Sequence, residues 1–98
     1  MKVDFGDAEC DRLETDPTFS AGFAGNIVRA YRKVMRIIRD APDERDLYAL
    51  RGLRFEGLKG DRSHQHSLRL NDQWRLIIEL RGRAEEKIVY VVGIEDYH

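Results

Sequence analysis

The stretch NIVRAYRKVMRIIRDA, residues 26–41, decides the fold. Its apolar residues Ile27, Tyr31, Val34 and Ile38 fall at helical spacing, and Val28, Met35 and Ile37 widen the stripe. Arg29, Arg32, Lys33 and Arg36 recur on another face. This spacing predicts an amphipathic helix over Asn26–Ala41, ended by Pro42 because the residue before proline disfavours the α region. A helix with one apolar stripe has to bury it, and the sequence downstream supplies the partner. After Gly52 the period changes to two. Leu53–Leu58, His66–Leu70, Trp74–Leu80 and Lys87–Ile94 read as strands, separated by the turn-like Lys59–Arg62, by Asn71-Asp72 and by a loop at Arg81–Arg83. Connections this short favour antiparallel pairing. Upstream, Lys2–Phe5 reads as a first strand. Asp7–Glu14 reads as a short helix with Asp7 as its N-cap, and Glu44–Leu50 as a further helical turn. The expected class is α+β: an antiparallel sheet with the N-terminal helices packed on one face.

The 98 residues suit one domain, residues 1–98, with no second core. The charged fraction is high at 36%, but 17 basic residues against 18 acidic ones leave a net charge of −1. With 42% hydrophobic residues, that balance argues for a folded chain rather than a disordered one. No apolar run approaches the roughly 20 residues of a membrane helix. The Met1–Asp4 start lacks the features of a secretory signal, so a cytoplasmic protein without membrane association is expected. A single cysteine, Cys10, excludes an internal disulfide. The charge is unevenly spread. Residues 1–25 carry two basic and six acidic side chains, whereas residues 51–75 carry six basic and three acidic. A basic middle between acidic ends is compatible with a polyanionic partner.

Three constellations carry candidate chemistry, and each has a plain structural counterpart. The first gathers Lys59, Arg62, Arg69 and Arg75 with glycines and short polar side chains on adjacent strands. Such a surface can hold phosphates by charge-assisted hydrogen bonds; otherwise it is a solvated strand face. The second is the run Glu95-Asp96-Tyr97-His98, where imidazole suits proton transfer near neutrality and a phenol can stack on a base. Its counterpart is a frayed polar end. The third is the basic helix face, Arg29, Arg32, Lys33 and Arg36, which suits an RNA backbone or an acidic protein, or else plain solvent. His64 and His66 form an H-x-H pair that a strand would point to one side. They lack a third ligand at a suitable spacing, so no metal site and no cofactor are expected.

The residues LRFEGLKGDR (53–62), QHSLRLNDQWRL (65–76) and the final Asp96-Tyr97-His98 together resemble the HigB-like toxins, plasmid-maintenance killer proteins of the RelE/ParE superfamily. The likeness is strong in the C-terminal half and one of plan in the N-terminal half. It implies a microbial-ribonuclease-like α+β toxin that cleaves mRNA in the ribosomal A site. It also implies a helix-turn-helix antitoxin of the HigA type, which neutralises the toxin and links it to operator DNA only indirectly. By that resemblance, Asp96, Tyr97 and His98 are catalytic or RNA-positioning residues, and Lys59 and Arg75 bind phosphate. Some members carry a histidine two residues before L-K-G-D. Glu56 stands there in this chain, so a two-histidine mechanism does not carry over and Glu56 or Asp96 becomes the candidate base. Two other functions stay open at this point: a ParE-like gyrase inhibitor without chemistry, and a relative that only binds antitoxin or ribosome.

Overall fold

A computed structural model describes residues 1–83 and 85–96. The elements run β1 (Lys2–Phe5), α1 (Ala8–Thr15), α2 (Gly25–Asp40), α3 (Arg45–Ala49), β2 (Glu56–Gly57), β3 (Gln65–Arg69), β4 (Trp74–Arg83) and β5 (Glu86–Asp96). Short 3-10 turns at Arg51–Leu53 and Gly60–Arg62 flank β2. The strands form one sheet in the order β1-β5-β4-β3-β2.

The helices form where local signals place them. Asp7 caps α1, its carboxylate accepting from the amides of Glu9 at 2.8 Å and Cys10 at 3.4 Å. α2 turns Tyr31, Val34, Met35 and Ile38 onto the sheet, where they meet Leu68, Leu76, Ile78, Val89 and Val91. The Tyr31 hydroxyl is buried and donates to the Cys10 carbonyl at 2.7 Å, which ties α1 to α2. Burial of these aliphatic side chains, about 1.5–3 kcal/mol for each one fully removed from water, holds the two layers together.

Three expectations change in detail. β2 through β5 pair antiparallel, as the short connections require, but β1 lies parallel to β5, with Val3 beside Val89 and Phe5 beside Val91. A parallel neighbour needs a long connection, and the chain through α1–α3 and β2–β4 supplies it. The strand expected over Leu53–Leu58 shrinks to Glu56–Gly57. Leu53 closes a 3-10 turn and Arg54 takes a left-handed conformation at φ 45°, which breaks the extended run while Leu53 and Phe55 both enter the core. Arg81–Arg83 is not a loop but the end of β4. Gly82, at φ +88°, permits the extension because a side chain there would run into the Glu86 carbonyl.

One irregularity shapes the face opposite the helices. The β4–β5 register jumps from Ile77–Gly93 to Ile78–Val91, so Val92 is bulged out of the ladder. Above and below it, Leu76 and Ile78 face the helices. Ile77 is 2% exposed, yet of the buried apolar residues it alone stands outside the helix-side core. It belongs to the opposite face of the sheet, where the candidate site lies.

Candidate functional site

Pairing register sets the rows of this second face. Glu56 of β2 is opposite Ser67 of β3, which is opposite Ile77 of β4. In the next row Arg69, Arg75 and Glu95 stand side by side on β3, β4 and β5. On the other side of Ile77 come Gln65 and Glu79, joined by a 3.3 Å hydrogen bond from the amide of Gln65. Ser67 and Arg75 are buried at 0% and 7% exposure on a face that carries no helix.

Arg62 reaches this face from the 3-10 turn. Its Nη1 and Nη2 donate to the two Glu95 carboxylate oxygens at 2.9 and 2.6 Å, and its Nε donates to the Gln65 side-chain carbonyl at 2.8 Å. The guanidinium fork therefore spans from β3 to β5. Gly60, at φ +66°, makes the turn that puts Arg62 there, and Lys59 sits exposed at its start. Arg69 pairs with Asp72 across the β3–β4 turn, and that guanidinium holds the Asp72 carboxyl below its usual range. Glu79 is likewise held low, first by the hydrogen bond from Arg81.

By pairing register Glu56, Arg69 and Arg75 share this face, and Arg62 reaches it through Gln65 and Glu95, with Lys59 at the start of the turn that carries Arg62. Asp96 does not join them by strand geometry. It pairs with Trp74, on the helix side of the pleat, and accepts from the Gln73 amide at 3.1 Å. Tyr97 and His98 lie outside the described residues. The H-x-H pair is not a pair in space. His64 lies in the turn before β3, 3.8 Å from the Glu79 carboxylate, whereas His66 stacks on Phe55 with ring centroids 4.9 Å apart. Burial lowers the His66 pKa, against a smaller opposing pull from Glu44. Cys10 is no nucleophile, since burial and then Asp7 push its thiol up to about 12.

The basic helix face needs a correction. Arg32 is committed: its Nε donates to the Leu13 carbonyl at 3.0 Å, and its Nη2 donates to those of Asp16 and Phe19 at 3.1 and 3.3 Å. It fastens the α1–α2 connection instead of facing solvent. Arg29, Lys33 and Arg36 remain exposed. The sequence reading named Glu95 and Gln65 but not their hold on Arg62, whose position they set. The period-two parity of β5 was the available signal, because it puts Glu95 and Asp96 on opposite faces.

Comparisons with known proteins agree with this architecture. The YoeB/ParE toxin from Agrobacterium tumefaciens superposes over the whole of both chains with a TM-score of 0.62 at 21% identity. The conserved hypothetical protein HP0894 from Helicobacter pylori covers 99% of this chain and 94% of its own, with a TM-score of 0.51 at 13% identity. No curated protein sequence matches the chain. The fold is therefore that of the small toxins of the RelE/ParE kind. The family model described as "RelE-like toxin of type II toxin-antitoxin system HigB" matches residues 4–98, and the chain belongs to that HigB-like family. Membership implies an antitoxin partner.

Proposed function

We propose that this toxin is a metal-independent endoribonuclease that cleaves mRNA in the ribosomal A site. The observation that carries the reading is that Glu56, Arg69 and Arg75 share the sheet face opposite the helices, to which Glu95 and Gln65 also hold Arg62. Cleavage by the adjacent 2′-hydroxyl forms a 2′-O–P bond and breaks the P–O5′ bond, leaving a cyclic phosphate. A base takes the 2′ proton, an acid returns one to the leaving O5′, and cations stabilise the dianionic phosphorane between them. Lys59, Arg62, Arg69 and Arg75 supply the cations. Glu56 acts as base, with Asp96 as the alternative. His98 acts as acid and Tyr97 orients the scissile nucleotide. These C-terminal roles rest on the family resemblance. The exposed Arg29, Lys33 and Arg36 meet the ribosome or the antitoxin, which is of the HigA helix-turn-helix type and connects the toxin to operator DNA. The site of action is the cytoplasm.

The test is expression of the chain alone in bacteria, followed by mapping of mRNA 5′ ends. Growth arrest with new ends inside translated codons, relieved by the antitoxin, supports the reading. Arrest with intact mRNA and an induced DNA-damage response favours gyrase inhibition instead.

A further inference from the structure

Beyond Ile77, the face opposite the helices carries a pair of side chains that the proposed chemistry does not use. Arg81 of β4 lies over the ring of Tyr90 of β5, its Cζ 3.6 Å from the ring centroid. A guanidinium this close to an aromatic face is in stacking contact, well inside the roughly 6 Å over which the two attract. Pairing register seats both residues. Tyr90 stands opposite Glu79 on one side and Asp4 on the other, and Arg81 stands one row further on, opposite Ile88.

Neighbouring groups fix the pair. The Tyr90 phenol rests against Gly6, where a Cβ would run into it, so the ring needs a glycine at that position. Glu79 accepts from Arg81 Nη2 at 2.8 Å and from its Nε at 3.2 Å, which holds the guanidinium by one edge. Gln65 in turn donates to Glu79 at 3.3 Å. Arg81 still stands half in water, its side chain 51% exposed. Because a carboxylate already meets its charge, it attracts a polyanion little. What it offers is a flat surface with a ring behind it, and unpaired bases stack on guanidinium planes and aromatic rings. Another guanidinium-on-ring pair, Arg12 on Phe19, belongs to α1 and the acidic first quarter of the chain, away from this face.

We propose that Arg81, backed by Tyr90, is a stacking platform for one unpaired RNA base remote from the scissile phosphate. The proposal rests on the ribonuclease reading above. Arg75 and Arg81 lie on the same strand and the same face, about 20 Å apart at ~3.4 Å per residue. That separation is too long for the nucleotide under attack. It suits a base further along the mRNA, or a base of the ribosomal RNA beside it. Both sources present the same chemistry, a purine or pyrimidine ring with a free face. A protein partner fits less well. The pair leaves little charge unmet, and the large apolar side chains exposed among the described residues, Tyr48 and Leu50, belong to α3 and its C-terminal end.

The test combines cleavage kinetics on programmed ribosomes with mRNA that carries 2-aminopurine at single positions around the A-site codon. The fluorescence of that base falls when it stacks, and methylation of the scissile 2′-hydroxyl keeps the mRNA whole for this arm. The wild type should quench one position outside the cleaved codon, or protect one ribosomal RNA base from chemical modification. The first result gives the base to the mRNA and the second to the ribosome. Arg81→Lys keeps the charge and loses the plane, so it should abolish that signal and raise KM at least about fivefold, with kcat unchanged. Tyr90→Leu should do the same and Tyr90→Phe should not, with folding followed by circular dichroism. If Tyr90→Leu does not fold, Arg81→Lys decides alone, being an exposed substitution. An Arg81→Lys variant with wild-type KM or an unchanged signal overturns the proposal, as does a wild type that gives neither signal. Weaker antitoxin binding with unchanged KM would give the pair to a protein partner and overturn it too. A wild-type chain that cleaves no mRNA sinks the ribonuclease reading itself, a result distinct from these.

Discussion

At the scale of single residues, Arg62 is held by a carboxylate at the place proposed for a phosphate. The Arg62–Glu95 pair is exposed, at 44% and 42%, so the exchange of carboxylate for phosphate costs little. Exposed pairs of this kind contribute only about 0–1 kcal/mol. Glu95→Gln should therefore raise kcat/KM for ribosome-dependent cleavage by a few-fold, and Arg62→Ala should lower it. A loss of rate in Glu95→Gln would show that Glu95 positions Arg62 instead of competing for it. His66 gives a pH prediction. Burial lowers its folded pKa, so the unfolded chain binds the proton more readily and stability rises with pH. The penalty is absent above the ordinary histidine pKa of about 6.5 and sets in as pH falls below it. Denaturant midpoints measured from pH 7.5 to 5 should fall, and the fall should shrink in His66→Gln; an equal slope in both would remove His66 as the cause. Both positions show what the sequence exposes at this scale. Residue types and parity put the arginines on a strand face, but pairing across 33 residues, as in Arg62–Glu95, depends on where the turn returns the chain.

At the scale of elements, α2 was fully legible because its 3.6-residue period is local. The role of Arg32 was not, since its three carbonyl partners come from a connection with no period of its own. Arg32 and Arg36 look alike in sequence and differ in structure. Arg32→Ala should cost about 1–3 kcal/mol by leaving charge-assisted hydrogen bonds unmade. Arg36→Ala should stay within about 0.5 kcal/mol, as exposed substitutions usually do. Urea titration of the two variants checks this, and equal losses would mean the clamp carries no stability. β2 failed as a long strand for a related reason. Its apolar alternation over residues 53–58 is real, but the left-handed turn at Arg54 gives two buried side chains without a ladder.

At the scale of the whole molecule, one face of the sheet packs against the helices and the other is polar, with arginines and carboxylates paired around a buried centre of Ser67, Arg75 and Ile77. The division follows from the period-two patterning of β3, β4 and β5, which the sequence displays. The parallel seat of β1 beside β5 does not follow from it, because four alternating residues satisfy either direction and only the long return of the chain decides. No helix among the described residues is long and apolar enough to cross a membrane. The central claim is that the face opposite the helices, with the C-terminal histidine, cuts RNA. The direct measurement is cleavage of mRNA on programmed ribosomes by the purified chain, comparing wild type with a variant lacking His98. Loss of a general acid typically costs about 10²–10⁴-fold in rate. The account predicts a loss of that size in the shortened chain, with melting temperature and antitoxin binding unchanged. Full ribosome-dependent cleavage by the shortened chain would contradict the assignment of the acid, and intact mRNA with the wild type would contradict the ribonuclease itself.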